Sequence, residues 1–329
     1  MTTLVTGANG HLGANLVREL LRRDRSVRAL VHRDTRAIDG LEVEIARGDL
    51  GDLDSLRAAM SGVDVVYNLA GVISIDGDRQ GRVRAVNVDG ARNVAAVALE
   101  CGVRRLVHCS SIHAFDPADG AGVLDETWPR VADTPRHTAY DRSKASGERE
   151  VRKAIERGLD AVIVHPTACI GPFDFQPSRM GRVFIAVQRR RLPSLIPGGF
   201  DWVDVRDVAD GTIAACERGR IGESYLLSGH WAEVHELVAQ AAEVAGVRPP
   251  AMTTPMWLAR LGAPFVTTAG RVLGRDPLYT RESLRALRDF QPVSHAKASR
   301  ELDYEPRPLL ETVADSYGWL RDSAGPSAH

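Results

Sequence analysis

Hydrophobic and polar positions follow two different periods through the first two-thirds of the chain. Short apolar runs of strand length are separated by segments in which apolar residues recur every three or four positions, the spacing of an amphipathic helix. The clearest helical segment places Leu12, Leu16, Val17, Leu20 and Leu21 on one stripe, with charged residues opposite. The apolar runs predict seven strands, at residues 3–6, 27–31, 43–46, 65–69, 106–109, 161–164 and 225–227.

The alternation of strand and helix determines the predicted fold class. Strands joined by helices pair in parallel, and the helices then cover both faces of the sheet. A second helical segment, about residues 84–100, ends just before Gly102, which suits the position after a helix C-terminus. The sequence therefore predicts an α/β protein with a Rossmann-type, doubly wound parallel sheet of about seven strands.

The alternation of strand and helix patterns ends after about residue 166, where frequent prolines and glycines predict a loop-rich stretch. Segments 201–209 and 225–228 then predict returns to the sheet, and 231–320 is mostly helical in pattern. We therefore expect a Rossmann domain over 1–166 with returns near 201–229, and a smaller, mostly helical substrate lobe over 167–200 and 230–322. The small polar residues at 323–329 predict a disordered tail.

Two segments of the second lobe have both a binding and a structural interpretation. The run Arg189-Arg190-Arg191 favours a solvated helix end over a binding patch. Segment 256–273 is apolar with Arg260 and Arg271 interspersed, and a helix packed inside the lobe is favoured over a helix on a membrane surface. Neither segment by itself indicates a partner.

Composition excludes several classes of protein. The 329 residues are 44% hydrophobic and 26% charged with a net charge of −1, ordinary values that give no global field for nucleic acid or anionic lipid. No run of about 18 apolar residues predicts a membrane span, and a strand that starts by Thr3 leaves no room for a signal peptide. The four cysteines are far apart in sequence, so we expect reduced thiols, no metal site and a cytoplasmic protein.

A glycine-rich turn, Thr6-Gly7-Ala8-Asn9-Gly10-His11-Leu12-Gly13, lies between the first strand and the first helix. A dinucleotide pyrophosphate needs backbone N–H groups at a helix N-terminus, without Cβ atoms in the way. Gly7 permits the tight turn, Gly10 the close approach of phosphate, and Gly13 the packing of helix on strand. Because strand and helix flank the turn, we predict cofactor binding by Gly7, Asn9, Gly10, His11, Leu12 and Gly13.

A tyrosine and a lysine lie one helical turn apart in Tyr140-Asp141-Arg142-Ser143-Lys144. Carbonyl reduction needs a proton source, and a tyrosine, with an ordinary pKa of about 10, serves near neutral pH only if its phenolate is stabilised. A shift of about three units needs roughly 4 kcal/mol, which nearby positive charges can supply. Ser111, at the end of a predicted strand, can hydrogen-bond a substrate oxygen. We therefore predict a catalytic group of Ser111, Tyr140 and Lys144.

Further motifs follow in order: Gly48-Asp49-Leu50, Asn68-Leu69-Ala70-Gly71, Asn87-Val88-x-Gly90, Ser110-Ser111 and the segment 166–172. With the glycine turn and the Tyr–Lys pair, this order resembles the extended short-chain dehydrogenase/reductases over most of the chain. The resemblance implies that Tyr140 is the general acid/base, that Lys144 also holds the nicotinamide ribose, and that Ser111 orients the carbonyl. It also implies a homodimer formed through helices around 84–100 and 140–156. The further cofactor contacts that it implies are Asp49, Leu50, Leu69, Ala70, Gly71, Ser110, Pro166, Cys169 and Ser178.

The end of the second strand bears on the choice of cofactor. An acidic residue there would bind the adenosine ribose and repel a 2′-phosphate. This chain has Val31-His32-Arg33-Asp34-Thr35-Arg36, in which Arg33 and Arg36 can bind a phosphate. We therefore expect NADP, with contacts from His32 and Arg33. Asp34 nearby keeps NAD as the alternative, and a solvated loop of mixed charge is the plainer interpretation.

The segment His165-Pro166-Thr167-Ala168-Cys169-Ile170-Gly171-Pro172 separates branches of the family. It resembles the Pro-Thr-x-x-x-Gly-Pro segment of dihydroflavonol reductases and 3β-hydroxysteroid dehydrogenases, whereas UDP-galactose epimerase-like enzymes have Asn where this chain has Ala168. The resemblance implies an NAD(P)-dependent reductase of a small-molecule ketone or aldehyde, or the reverse oxidation of an alcohol. A sugar-nucleotide epimerase/dehydratase and a non-catalytic NADP sensor are the alternatives. His165 and Asp204 depart from both groups and leave the substrate open.

Several other side chains near these motifs have two interpretations. The ring of His11 is expected in solvent, His108 at a helix interface, and His113 either at the substrate or in a structural hydrogen bond. Asn87 either positions a water or a carbonyl, or belongs to the core. The apolar side chains that either line a substrate pocket or form the core of the second lobe are Phe173, Phe175, Met180, Phe200 and Trp202.

Overall fold

A central sheet of parallel strands forms the frame of the molecule, and this computed structural model describes residues 1–74, 77–117, 122–192, 194–259, 261 and 292–323. The strands of this sheet are β1 (Thr2–Thr6), β2 (Ser26–Val31), β3 (Glu44–Arg47), β4 (Val65–Asn68), β5 (Arg105–Cys109), β6 (Ala161–Pro166) and β9 (Ser224–Leu227). Their order is β3-β2-β1-β4-β5-β6-β9. Every neighbouring pair is parallel, so the predicted Rossmann-type sheet of seven strands is confirmed.

Helices cover both faces of this sheet because both faces of the parallel strands are apolar. The helices are α1 (His11–Arg22), α2 (Leu53–Met60), α3 (Arg82–Arg84), α4 (Ala91–Glu100), α5 (Ala139–Glu156), α6 (Arg179–Gln188), α7 (Val205–Arg218), α8 (Val234–Val244), α9 (Ala296–Leu302) and α10 (Leu309–Ser323). On one face, Leu16 of α1 and Ile213 of α7 are fully buried in one core cluster. On the other face, Leu56, Val94 and Val151 of α2, α4 and α5 form another core cluster with the strands.

The predicted helix at about 84–100 consists of three consecutive helical parts. A π-helical segment, Ala85–Gly90, lies between α3 and α4, so the helical path runs from Arg82 to Glu100. Gly102 follows this helix with a φ of +66°. Glycine is favoured in this left-handed conformation just after the end of a helix. The predicted position of Gly102 after the helix C-terminus is therefore confirmed.

The topology brings the candidate functional segments to one edge of the sheet. From β1 the chain proceeds outwards to β2 and β3, and then returns to β4 on the other side of β1. In such a sheet the carboxyl ends of the two central strands open a crevice that binds ligands. The glycine turn follows β1, Leu69 follows β4, and Ser110 and Ser111 follow β5. The cofactor and catalytic segments predicted from the sequence therefore share the same edge.

A second, three-stranded sheet lies beyond the predicted loop-rich stretch. It consists of β7 (Ala168–Ile170), β8 (Gly199–Asp204) and β10 (His230–Glu233), in the order β10-β8-β7. The predicted return of 201–209 to the main sheet is therefore wrong, because β8 pairs with β7 and β10. The strand also ends at Asp204, whose side chain accepts a hydrogen bond from the backbone of Arg206 and so caps α7. Apolar residues continue beyond this boundary at Val205, Val208 and Ala209, so the sequence pattern does not mark it.

The second lobe has a core of its own. Phe184 of α6, Val238 of α8 and Val313 of α10 pack there around Trp202 of β8. Of the apolar segment 256–273, residues 260 and 262–273 lie outside the described residues, as do residues 324–329 of the predicted tail. Among the described helices, none combines the length and the apolar composition of a membrane span.

Candidate active site

The glycine turn between β1 and α1 has the shape that a dinucleotide pyrophosphate requires. Gly7 has a φ of +68°, and a Cβ atom there would lie 2.8 Å from the backbone of Ala70. A Cβ atom on Gly13 would overlap the carbonyl oxygen of Gly7. Helix α1 begins at His11 without a side-chain cap and without an acidic residue in its first turn. Its first backbone N–H groups are therefore available to an anion, and the turn fits the predicted cofactor.

The ring of His11 ties this turn to the second lobe. Its Nε2 atom lies 3.0 Å from the carbonyl oxygen of Pro172 and 3.2 Å from that of Gly171. Asn15, one turn further along α1, donates its amide N–H to the same Pro172 oxygen at 3.0 Å. The expectation of a solvent-exposed His11 ring is therefore wrong. The partners lie 160 residues away in the sequence, so local patterns give no signal for this contact.

The loop after β2 contains the residues predicted to bind the adenosine end. Arg36 pairs with Asp34 at 2.7 Å, and Gln176 donates to the same carboxylate at 2.9 Å. The hydrogen bonds from Arg36 lower the pKa of Asp34 to about 2, so Asp34 is an anion that Arg36 neutralises. Arg33 is exposed, and within the described part of the chain it has no acidic partner. Of the two arginines, Arg33 is thus the one whose charge is available to a ligand.

The segments after β3 and β4 lie beside the same crevice. The Oδ1 atom of Asp49 accepts a hydrogen bond from the backbone of Gly51, and its other carboxylate oxygen lies 3.9 Å from Nε2 of His32. Ala70 donates its backbone N–H to the hydroxyl of Thr6 at 3.2 Å. A Cβ atom on Gly71 would lie 3.4 Å from Nζ of Lys144, so the end of β4 meets the catalytic helix. Other predicted contacts here are Leu50, whose carbonyl accepts from Asn93, and Leu69, which packs partly against the core.

The three predicted catalytic residues lie together at the start of α5. Tyr140 is in the first turn of this helix, Lys144 follows one turn later, and both are buried. Ser111 precedes the 3₁₀ turn Ile112–Ala114, and its hydroxyl is hydrogen-bonded with the phenol of Tyr140. Nζ of Lys144 donates to the carbonyl oxygen of Cys109 at 3.1 Å. The structure therefore brings together the group that the sequence predicts.

Burial dominates the electrostatics of this group. It raises the pKa of the Tyr140 phenol, and the hydrogen bond with Ser111 offsets only part of the effect. Burial also lowers the pKa of the Lys144 ammonium. The protein groups alone therefore do not lower the pKa of Tyr140, contrary to the expectation from the sequence. A further positive charge at the phenol is needed to stabilise its anion.

His113 and Asp141 link the loop that holds Ser111 to the helix that holds Tyr140. Nδ1 of His113 lies 2.8 Å from the carboxylate of Asp141. The His113 ring also meets the Tyr140 ring edge-on, with centroids 5.1 Å apart. Asp141 in turn forms a capping box with Thr138 at the N-terminus of α5. Of the two interpretations of His113, the structure shows the structural hydrogen bond.

Asn87 and His108 belong to buried polar networks behind the site. The amide of Asn87 donates to the carbonyl oxygen of Val72 and to the hydroxyl of Ser143, each at 2.9 Å. Asn87 thereby joins the loop after β4 to α5. Nδ1 of His108 lies 3.1 Å from the amide nitrogen of Asn68. Burial lowers the pKa of His108 to about 3, so its ring is neutral.

The residues predicted at the nicotinamide end come from β5, β6, β7 and the start of α6. Pro166 ends β6, and Cys169 lies on β7, where burial raises the pKa of its thiol. Ser178 caps α6 by accepting from Gly181 at 3.1 Å, a role that its sequence context did not indicate. The hydroxyl of Ser110 is buried and has no hydrogen-bond partner among the described residues. A buried hydroxyl without a partner at the end of a strand fits a site in which a bound ligand supplies the missing hydrogen bond.

Comparison with known proteins identifies the family. The sequence model of the NAD dependent epimerase/dehydratase family matches residues 3–228. The chain belongs to this family. Members are enzymes that bind a nicotinamide cofactor, which agrees with the geometry of the glycine turn and with the resemblance to extended short-chain dehydrogenase/reductases.

Several relatives match this family member over nearly its whole length. Sterol demethylase protein B of Methylococcus capsulatus is 39% identical over 98% of this chain and 99% of its own length. A Synechocystis protein named "Putative dihydroflavonol 4-reductase" is 31% identical over 97% of this chain and 94% of its own. The crystal structure of gox2253 superposes with a TM-score of 0.84 and 34% identity, covering 98% of each chain. The predicted relationship to the dihydroflavonol reductase branch is confirmed.

His165, one of the two departures from the related enzymes, belongs to a buried charged cluster around Glu148 of α5. Nε2 of His165 lies 2.8 Å from one carboxylate oxygen of Glu148, and Arg130 and Arg152 donate to the other at 3.0 and 2.8 Å. Although burial acts to raise the pKa of Glu148, these three groups outweigh it and hold the pKa below its ordinary value. Burial lowers the pKa of His165, while the neighbouring Glu148 carboxylate acts to raise it. Sequence analysis missed this cluster.

Asp204, the other departure, is also explained by local contacts. Its carboxylate accepts from the guanidinium of Arg206 at 2.7 Å and lies 3.7 Å from that of Arg307. Asp207, on the next turn, holds Arg307 at 2.7 Å. These ion pairs join the start of α7 to the segment before α10. Asp204 therefore has a structural explanation that does not require a substrate.

The aromatic side chains weighed as pocket or core divide into two groups. Phe173 and Phe175 contact Trp319 of α10, with ring centroids 6.2 and 5.3 Å apart, and the Arg18 guanidinium lies 4.3 Å from the Phe173 ring. They therefore join the loop after β7 to α1 and α10. The residues that pack against the core of the second lobe are Met180, Phe200 and Trp202.

Proposed function

We propose that this protein is an NADP-dependent carbonyl reductase, or the corresponding alcohol dehydrogenase, in which Tyr140 exchanges the proton. The observation that supports the proposal most strongly is the buried group of Tyr140, Ser111 and Lys144 at the edge of the sheet where the uncapped end of α1 lies. Extended short-chain dehydrogenase/reductases with these motifs use them in this way. The coarser assignment, a nicotinamide-dependent enzyme of the epimerase/dehydratase family, does not depend on this proposal.

The chain's own residues have separate tasks in the proposed reaction. Ser111 hydrogen-bonds the substrate carbonyl and holds it beside the Tyr140 hydroxyl, which donates the proton to the developing alkoxide. The cofactor, when bound, supplies the hydride and, once oxidised, a positive charge. Lys144, held by the carbonyl of Cys109 at 3.1 Å, adds positive charge and binds the ribose. Together these charges compensate for the burial that raises the pKa of Tyr140.

NADP is favoured over NAD by the loop after β2. Arg33 is exposed and its charge is available, and it follows β2 where the 2′-phosphate of the adenosine ribose binds in this fold. Asp34 would repel that phosphate if it were free, but Arg36 neutralises it at 2.7 Å. We therefore assign the phosphate contact to Arg33, with Arg36 as the residue that removes the opposing charge.

A hydrophobic ketone is the proposed substrate class. Ala168 lacks the amide that sugar-nucleotide enzymes of the family place at this position. The names of full-length relatives refer to a sterol and to a dihydroflavonol.

A sugar-nucleotide epimerase or dehydratase is the second candidate, since the family model is described as an epimerase/dehydratase family. The buried Tyr140 and Lys144 argue against a protein that only senses the cofactor. The family resemblance supports a homodimer formed through α4 and α5.

Thermal unfolding with a panel of ligands tests this proposal. Ligands that bind only the folded state raise the midpoint by an amount that grows with affinity. We expect NADP⁺ to raise it more than NAD⁺ does, and sterol ketones or dihydroflavonols to raise it further when NADP⁺ is present. Stabilisation by UDP-sugars without any effect of the ketones would instead favour the epimerase or dehydratase.

A further inference from the structure

The second lobe presents an apolar helical face outwards, in the described part of segment 256–273. Residues 256–259 and 261 are helical, and Met256 and Ala259 face the core of the lobe. Trp257, Leu258 and Leu261 are 64%, 47% and 63% exposed. These three residues are neighbours on one side of the helix, because positions i, i+1 and i+4 share a face. The described residues of this segment thus pack against the core on one side and are exposed on the other.

Basic residues adjoin this apolar face. Leu195 donates its backbone N–H to the carbonyl of Met252, and the two segments form a β-bridge between Leu195 and Thr253. That bridge pairs the segment that leads into the helix with the segment that follows Arg189, Arg190 and Arg191 at the end of α6. Arg190 and Arg248 also line one cleft of about 440 Å³. We refer to these exposed basic and apolar residues together as the Arg–Trp surface: Arg189, Arg190, Arg191, Arg248, Trp257, Leu258 and Leu261.

The charges of the Arg–Trp surface are not compensated within the described residues. All four arginines are exposed, and none pairs with a carboxylate in the described ranges. By contrast, Arg206 and Arg307 pair with aspartates at 2.7 Å. An unpaired basic cluster beside exposed tryptophan and leucine has the chemistry of a surface that binds anions and apolar matter together.

We propose that the Arg–Trp surface docks on an anionic phospholipid bilayer. The arginines would contact lipid phosphates, while Trp257, Leu258 and Leu261 enter the boundary between headgroups and acyl chains. The net charge of −1 gives the molecule no global attraction to such a bilayer, so the attraction is local to this surface. Docking in this way needs no membrane span, and it is independent of the proposed reductase activity.

Sedimentation of the full chain with vesicles tests the proposal. We expect binding to vesicles of phosphatidylcholine with phosphatidylglycerol, and binding at least tenfold weaker to phosphatidylcholine alone or at high salt. Replacing Arg189, Arg190 and Arg191 together by Gln should weaken binding more than tenfold, since each arginine near an anionic surface contributes roughly a fivefold factor. Trp257→Ser with Leu261→Ser should also weaken it.

Two control variants separate docking from general effects of charge and exposed apolar area. Ile221→Ser removes a side chain that is 58% exposed on the turn before β9, and Arg157→Gln removes an exposed charge at the end of α5. Both should bind vesicles as the wild type does, and all variants should keep the wild-type unfolding midpoint. Absence of binding to anionic vesicles, or binding that neither surface variant weakens, would overturn the proposal. So would a change of oligomeric mass in the surface variants, because a second copy would then cover this face.

Discussion

Tyr140, the proposed proton donor, is buried in surroundings that favour the neutral phenol. Burial raises its pKa, the hydrogen bond with Ser111 counteracts part of that rise, and the ring packs against His113. A buried acid of this kind loses its proton readily only when a positive charge lies close to it. In the proposed reaction, proton exchange at Tyr140 therefore depends on Lys144 and on the bound cofactor, and this dependence can be tested.

Replacing Tyr140 by phenylalanine removes the proton donor and keeps the ring. We expect kcat for carbonyl reduction to fall by about 100- to 10,000-fold, the usual contribution of a positioned acid or base. NADPH affinity, measured by fluorescence titration, should change less than about twofold, because the glycine turn is untouched. The matched control is Tyr317→Phe, which removes a hydroxyl that donates to the carbonyl of Phe184 in the second lobe. Undiminished turnover in Tyr140→Phe would remove this residue from the mechanism.

Helix α5 combines the catalytic residues with the charged cluster that holds the helix in place. Tyr140, Lys144 and Glu148 recur every four residues, so they share one face of the helix. Glu148 is 1% exposed and binds Arg130, Arg152 and His165, which joins α5 to β6 just before Pro166. The same helix is fixed at its start by Asp141 and His113. Its position relative to Ser111 is therefore set at both ends.

Glu148→Gln should destabilise the fold, because it removes the buried carboxylate that half-buried Arg130 and Arg152 and buried His165 bind. We expect the free energy of unfolding in denaturant to fall by about 3 kcal/mol, the range for breaking a buried ion pair. The control Glu150→Gln, whose partners Arg92 and Lys153 are largely exposed, should cost less than about 1 kcal/mol.

The stability difference between wild type and Glu148→Gln should also depend on pH. Since the folded-state pKa of Glu148 lies below its ordinary value, the stabilisation is present above about pH 4 and is lost as the pH falls through the folded-state pKa. Equal stability of the two proteins at neutral pH would contradict the assigned role of Glu148.

At the scale of elements, the sequence predicted those features of the fold and the site that depend on the geometry of a single turn or helix. Gly7, Gly13 and the Tyr140–Lys144 spacing follow from the shape of one turn and one helix, so the sequence contains their signal. The second sheet was missed because its three strands come from segments far apart in the chain. The contacts of His11 with Pro172 and of His165 with Glu148 depend on tertiary packing in the same way.

At the scale of the whole molecule, one sheet edge gathers the cofactor turn, the catalytic group and the loop that leads to the second lobe. His11 and Asn15 connect the first turns of α1 to the carbonyls of Gly171 and Pro172. These contacts join the glycine turn to the loop after β7, while the division into a Rossmann domain and a substrate lobe remains a prediction. The proposed reaction requires net transfer of a hydride to an external carbonyl.

The most direct measurement of that claim uses NADPH deuterated at C4 of the nicotinamide. The substrate is a ketone that raises the unfolding midpoint in the presence of NADP⁺, and the product is analysed by mass spectrometry. We predict that one stereoisotopomer of the cofactor transfers one deuterium to the carbinol carbon for each NADP⁺ formed. A product that forms with no net oxidation of the cofactor, or without deuterium from either stereoisotopomer, would contradict the account.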